Sequence, residues 1–207
     1  MSSSIVSSVS SQAAAVPQKR NAAALAAQNA ERYSSSGIWV GVFAITMSFA
    51  AFTSALFVRE GTADWSHLAL PPVLFLNTLV LITSSGTLEA ARRQFDEAEG
   101  TRKASAWVVI TLLLGLAFCV GQYRAWLDLR SAGIYLATNP NSSFFYLLTF
   151  LHALHVAVGI LVLVYLAGRV LASHTTFRLG FFRNTAIYWH FMTVLWIYLL
   201  LLCWLKL

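Results

Sequence analysis

Between Asn141 and Gly168 the chain runs for 28 residues without an Asp, Glu, Lys or Arg, and two histidines, His152 and His155, stand in the middle of that run. About 20 apolar residues of helix cross the roughly 30 Å hydrocarbon core of a bilayer. A run this long reads as a transmembrane helix with length to spare for tilt. Imidazoles at that depth are costly against lipid, so both should face protein. Their i, i+3 spacing puts them on one helix face, which Gly159 shares. A helix offering small and hydrogen-bonding residues on one side suits close packing against a neighbour.

Four more long apolar runs extend the reading. The predicted fold is all-α, a polytopic membrane bundle of five transmembrane helices over about 37–58, 68–90, 104–124, 141–169 and 184–206. Pro71-Pro72 falls within the first turn or so of the second helix, where proline does least damage. Only 11% of residues are charged, against about 25% in soluble domains. Short connections favour antiparallel neighbours and leave no room for a soluble domain inside 37–207. Residues 1–36 read as a Ser/Ala-rich mobile tail without the charged start and apolar core of a signal peptide. Within it, 18–33 reads either as a helix lying on the membrane or as solvated chain.

Charge fixes the expected orientation. Lys19, Arg20, Arg32, Arg92, Arg93, Arg102, Lys103, Arg169, Arg178 and Arg183 fall on one side; Arg59, Arg124, Arg130 and Lys206 fall on the other. Positive residues favour the cytoplasmic face, so the N-terminus is expected inside and the C-terminus outside. The net charge of +6 is thereby explained by topology, and no nucleic-acid partner is implied. Trp39, Trp65, Trp107, Trp126 and Trp204 lie at or near helix ends, where amphipathic rings prefer the interface. Cys119 and Cys203 sit in apolar runs and read as small buried hydrophobes.

Polar residues cluster in the second and fifth helices. Asn77, Ser84 and Leu88 follow a seven- and four-residue spacing, and Ser85 stands beside them, so hydroxyl and amide groups favour one side. Glu89 has two readings: an interfacial carboxylate paired with Arg92 and Arg93 at i+3 and i+4, or a carboxylate facing the bundle that binds a lipid head group or influences proton entry. The fifth helix carries Tyr188, Trp189, His190, Phe191, Thr193 and Trp196. His190 could face His152 and His155 if the fourth and fifth helices are adjacent. The three histidines could be packing residues bonded to neighbouring hydroxyls and carbonyls, ligands of a haem or metal, or members of a proton relay or lipid site. Against ligation, an i, i+3 pair supplies one ligand to a haem from one side, and the fourth and fifth helices hold no carboxylate. Walker, dinucleotide-binding and nucleophile-elbow motifs are missing from the sequence. Asn141-Ser-Ser143 fits a glycosylation sequon but reads as the start of the fourth helix, with Asn or Ser as its cap.

Four segments in order, Asn77-Thr-Leu-Val-Leu-Ile-Thr-Ser-Ser85, Gly133 to Tyr146, Leu151-His-Ala-Leu-His-Val156 and Tyr188-Trp-His-Phe191, resemble subunit III of the haem-copper terminal oxidases, the cytochrome c and quinol oxidases. The resemblance covers about 37–207 and is to the short bacterial form with five helices. It implies a cofactor-free accessory subunit of the bacterial cytoplasmic membrane. Such a subunit packs mainly on oxidase subunit I, with haems and copper in partner subunits, contacts other oxidase subunits, and could join a larger respiratory supercomplex. It also implies bound phospholipid and support of proton uptake during oxygen reduction. The paired histidines of the family match His152 and His155, and its Tyr-Trp-His-Phe matches 188–191, which implies packing or lipid-associated roles there. Two family carboxylates are missing: the first helix has Ile45 and Thr46 where many members carry glutamate, and Thr193 stands where many carry aspartate. A different class of function, a small haem-b anchor ligated by His155 and His190, is the alternative; a transporter has less support, since no inverted repeat or broken helix is visible.

Overall fold

The computed structural model describes residues 29, 36–59, 70–95, 101–171 and 179–206. Except for Asn29 and Ser36, the tail lies outside the described residues, as do Trp65 and Arg178. The chain divides into a unit over 1–40 and one over 41–207, and the architecture below concerns the second. Among the described residues five helices are each long and apolar enough to cross a membrane: α1 Ser36–Arg59, α2 Val73–Phe95, α3 Thr101–Ser131, α4 Pro140–Leu171 and α5 Leu179–Lys206. At 1.5 Å per residue, even the 23 residues of α2 reach about 35 Å, past the hydrocarbon thickness of roughly 30 Å. The protein is a multi-pass membrane protein.

Helix ends follow local chemistry more than hydropathy. Pro71 and Pro72 stand just before α2, and their carbonyls accept from the amides of Leu74 and Phe75 at 3.1 Å each. At the start of α4, Pro140 takes the first helical position, where its missing N–H is no loss. The cap is Asn139, two residues before the 141–143 segment that the sequence suggested. The Ser142 hydroxyl accepts from the Asn139 amide at 3.1 Å, the reciprocal half of a capping box.

α2, α3, α4 and α5 form a closed ring in which each packs on two neighbours, α2 on α3 and α5, and α4 on α3 and α5. Short links make the ring up-down-up-down. From residue 41 onward α1 meets this ring through Phe49, whose ring lies 5.9 Å from that of His155 on α4, and through Thr53, which accepts from the Tyr198 hydroxyl of α5 at 3.0 Å. The core is aromatic: Trp189, Trp196, Phe118 and Phe145 are among its largest fully buried side chains. On α3 the positions Thr111, Gly115, Phe118, Gln122, Ala125 and Leu129 are all buried, a stripe at three- and four-residue spacing that faces the ring's interior.

Candidate functional site

Trp189 locks the four-helix ring. It projects from α5 with its indole N–H donating to the Ser84 hydroxyl of α2 at 3.0 Å. Its six-membered ring lies between two glycines. A Cβ on Gly115 of α3 would come within 2.9 Å of Trp189 Cη2, and one on Gly159 of α4 within 3.0 Å of Cζ3. One side chain thus touches all three other helices of the ring: a methyl group on Gly115 would push the indole, and one on Gly159 would press on it and on Tyr188. Ser84 in turn donates to the Thr111 carbonyl of α3 at 3.2 Å. Thr87 and Thr111 share a hydroxyl–hydroxyl bond of 2.8 Å. The small hydroxyl residues of α2 therefore join it to α3 and α5, as their spacing suggested. The same helix pair closes at Gly121, where a Cβ would lie 1.9 Å from Asn77 Oδ1; the Asn77 amide points at the Phe118 carbonyl, 3.5 Å away.

The histidines take three separate settings. His190 faces α2, not α4: its Nδ1 shares a hydrogen bond with the Ser85 hydroxyl, and its Nε2 is 3.8 Å from Glu89 Oε2. Ser85 and Glu89 are one turn apart, so the imidazole bridges them from across the seam. Glu89 also accepts from Arg92, through Nε at 2.8 Å and Nη2 at 2.7 Å, and from Arg93 Nε at 3.0 Å, as the i+3 and i+4 spacing implied. His155 bonds within its own helix, Nδ1 to the Leu151 carbonyl at 2.7 Å, and its own carbonyl accepts from the Tyr188 hydroxyl at 2.9 Å. His152 departs from the expected pattern of hydroxyl and carbonyl partners. It is fully buried, neither ring nitrogen has a hydrogen-bond partner, and it is held by rings: Phe118 at 5.9 Å and Trp196 at 5.0 Å. Trp196 is itself fixed to α2 through the Thr78 hydroxyl at 3.0 Å. Among the described residues no three His, Cys, Asp or Glu side chains come together as a metal site would need.

Sequence reasoning missed the two glycines of α3, Gly115 and Gly121, and Gln122, whose side-chain amide is buried without a hydrogen-bond partner. Gly115 and Gln122 belong to the buried stripe of α3, which becomes readable once it is known to face inward; Gly121 stands beside it.

The arrangement offers two kinds of chemistry. The Trp189 cluster is buried and uncharged, and it positions helices. The Glu89–His190–Ser85 seam is partly exposed and ionisable, and it lies toward the end of the bundle where α2 stops and α5 starts.

Residues 35–206 match the family model described as cytochrome c oxidase subunit III. The chain belongs to the cytochrome c oxidase subunit III family. It is 34% identical over 175 residues to the cytochrome c oxidase subunit 3 of Synechocystis sp., a match covering 82% of this chain and 70% of the relative. It is 32% identical over 161 residues to the probable cytochrome c oxidase subunit 3 of Mycobacterium leprae, covering 73% and 77%. With the cytochrome c oxidase subunit 3 of Corynebacterium diphtheriae it is 30% identical over 206 residues, covering 93% and 95%. Membership in this family favours the accessory-subunit reading of a haem-copper oxidase over the haem-anchor alternative.

Proposed function

We propose that this chain is the non-catalytic, cofactor-free subunit III of a cytochrome c oxidase-type complex in a bacterial cytoplasmic membrane. In this reading it packs on subunit I, the haems and copper reside in partner subunits, and phospholipid binds along its helices. The observation that carries the proposal is the family match over 35–206, which includes all five helices. The settings of the histidines support it: His155 and His190 are engaged by a carbonyl, a hydroxyl and a carboxylate, and His152 is enclosed by rings. These are the contacts of packing residues. Trp189, Tyr188, Asn77, Ser84 and His152 then keep the ring rigid, while Ser85, Glu89 and His190 line a polar entry that supports proton uptake by the neighbouring subunit.

The test is to extract the tagged chain with its partners in mild detergent and strip this subunit away, recording visible spectra of both fractions. Haem absorbance and oxygen reduction are expected to stay with the other fraction. Haem following this chain would overturn the proposal and return His155 and His190 to candidate ligands.

A further inference from the structure

Away from the polar seam, a groove of about 360 Å³ lies between α3 and α4 at the end of the bundle where α3 stops and α4 begins. That volume is at the lower end of the roughly 300–1,000 Å³ of sites that hold small molecules. The walls are Trp126 and Leu127 from α3 and Leu147 and Phe150 from α4, and Tyr123 is the deepest lining residue along α3. Arg130, in the last turn of α3, lines the other end. From Tyr123 to Arg130 is about 10 Å of helix axis, so the groove is apolar along its length and cationic at its mouth.

The walls are fixed by bonds of their own. The Trp126 indole N–H donates to the Thr149 hydroxyl at 3.1 Å, and its ring lies 6.3 Å from that of Phe150. The Tyr146 hydroxyl, also on the groove, donates to the Ile134 carbonyl at 2.9 Å, tying α4 to the link that follows α3. Among the described residues no carboxylate lies within 4 Å of Arg130, whereas Arg92 and Arg93, at the opposite end of the bundle, both pair with Glu89. A guanidinium at the membrane surface attracts anionic lipid, and its planar fork matches phosphate.

We propose that this groove is a binding site for an anionic phospholipid, with its phosphate on Arg130 and one acyl chain lying between Trp126–Leu127 and Leu147–Phe150. The site deepens the lipid-associated part of the reading above and rests on it; Trp126, Leu127, Arg130, Leu147 and Phe150 lie outside the segments that carry the family resemblance. It is tested on the whole complex reconstituted into nanodiscs. The probe is phosphatidylglycerol bearing a diazirine on one acyl chain; the control is phosphatidylcholine with the same label. Labelling is expected within 123–127 and 147–150, severalfold stronger for phosphatidylglycerol. Arg130→Gln should lower the phosphatidylglycerol signal about fivefold, the size of one cation's attraction at a charged surface, while Arg130→Lys keeps most of it. Leu147→Trp, which fills the groove, should remove the signal for both lipids. Equal labelling by the two lipids that Arg130→Gln leaves unchanged would overturn the proposal, and so would labelling everywhere except these two segments. Co-purification of partner subunits is scored on the same samples, so a failure of the oxidase reading registers there and not in the lipid signal.

Discussion

Gly121 has no room for a methyl group, because Asn77 Oδ1 occupies the place where its Cβ would stand. Gly121→Ala must push the Asn77 amide away from the Phe118 carbonyl and separate α2 from α3. Overpacking of this kind costs about 1–3 kcal/mol. Asn77→Ala should relieve the clash, so the double variant is expected to be more stable than Gly121→Ala alone. Heat inactivation of the detergent-solubilised complex, read as a double-mutant cycle, checks it; additive losses would mean the two residues do not meet. Glu89 calls for the opposite expectation. Its partners are partly exposed, with the Arg93 side chain 76% accessible, and exposed ion pairs contribute about 0–1 kcal/mol. Glu89→Gln should therefore leave assembly at its normal level. If the seam supports proton uptake, the neutral amide slows turnover in proteoliposomes; unchanged turnover would confine Glu89 to pairing with Arg92 and Arg93.

At the scale of elements, the end of α3 shows how a backbone requirement is set. Gly133 has φ of 78°, a left-handed conformation that costs other residues about 1–2 kcal/mol. Its amide reaches the Arg130 carbonyl and that of Ile134 reaches the Leu129 carbonyl, both at 3.0 Å, the paired bonds of a Schellman end. Gly133→Ala is expected to lower the thermal midpoint of the complex, and Gly133→Asn to lower it less; equal effects would argue against the left-handed requirement. This end also fixes where Ile134 presents its carbonyl to Tyr146, so the substitution should loosen the Arg130 groove. Helix existence was legible from long uncharged runs, and the face joining His152 to Gly159 was legible from a 3.6-residue period. What that period leaves open is the partner. His190 could have faced α4 by its depth in the membrane, but it meets Ser85 and Glu89 because α2, not α1, completes the ring beside α5. The cap of α4 was misplaced for a local reason: Pro140 can begin a helix, so the capping residue had to precede it.

For the molecule as a whole, burial is graded. Half of the most apolar stretch of α5 is enclosed, against 17% of that of α1. Phe43, Met47 and Phe57 of α1 are among the exposed large hydrophobics. α1 adds Phe49 and Leu56 to the core and leaves its other face uncovered, a surface open to lipid or to other subunits of the complex. The orientation of the bundle decides what its two ends can do. Among the described residues Arg92, Arg93, Arg102, Lys103, Arg169 and Arg183 lie toward the end that holds the Glu89 seam, and this positive charge should keep that end in the cytoplasm. Thr138, exposed between α3 and α4, and Glu97, in the sequence between α2 and α3, give opposite reporters. In intact spheroplasts, Thr138→Cys is expected to react with a membrane-impermeant maleimide, and Glu97→Cys only after permeabilisation. That result puts Glu89, His190 and Ser85 on the side from which an oxidase draws protons, and the Arg130 groove in the outer leaflet. The reverse pattern would place the seam on the wrong side for uptake, and the proton role would fall while the packing roles of Trp189 and His152 stood unchanged.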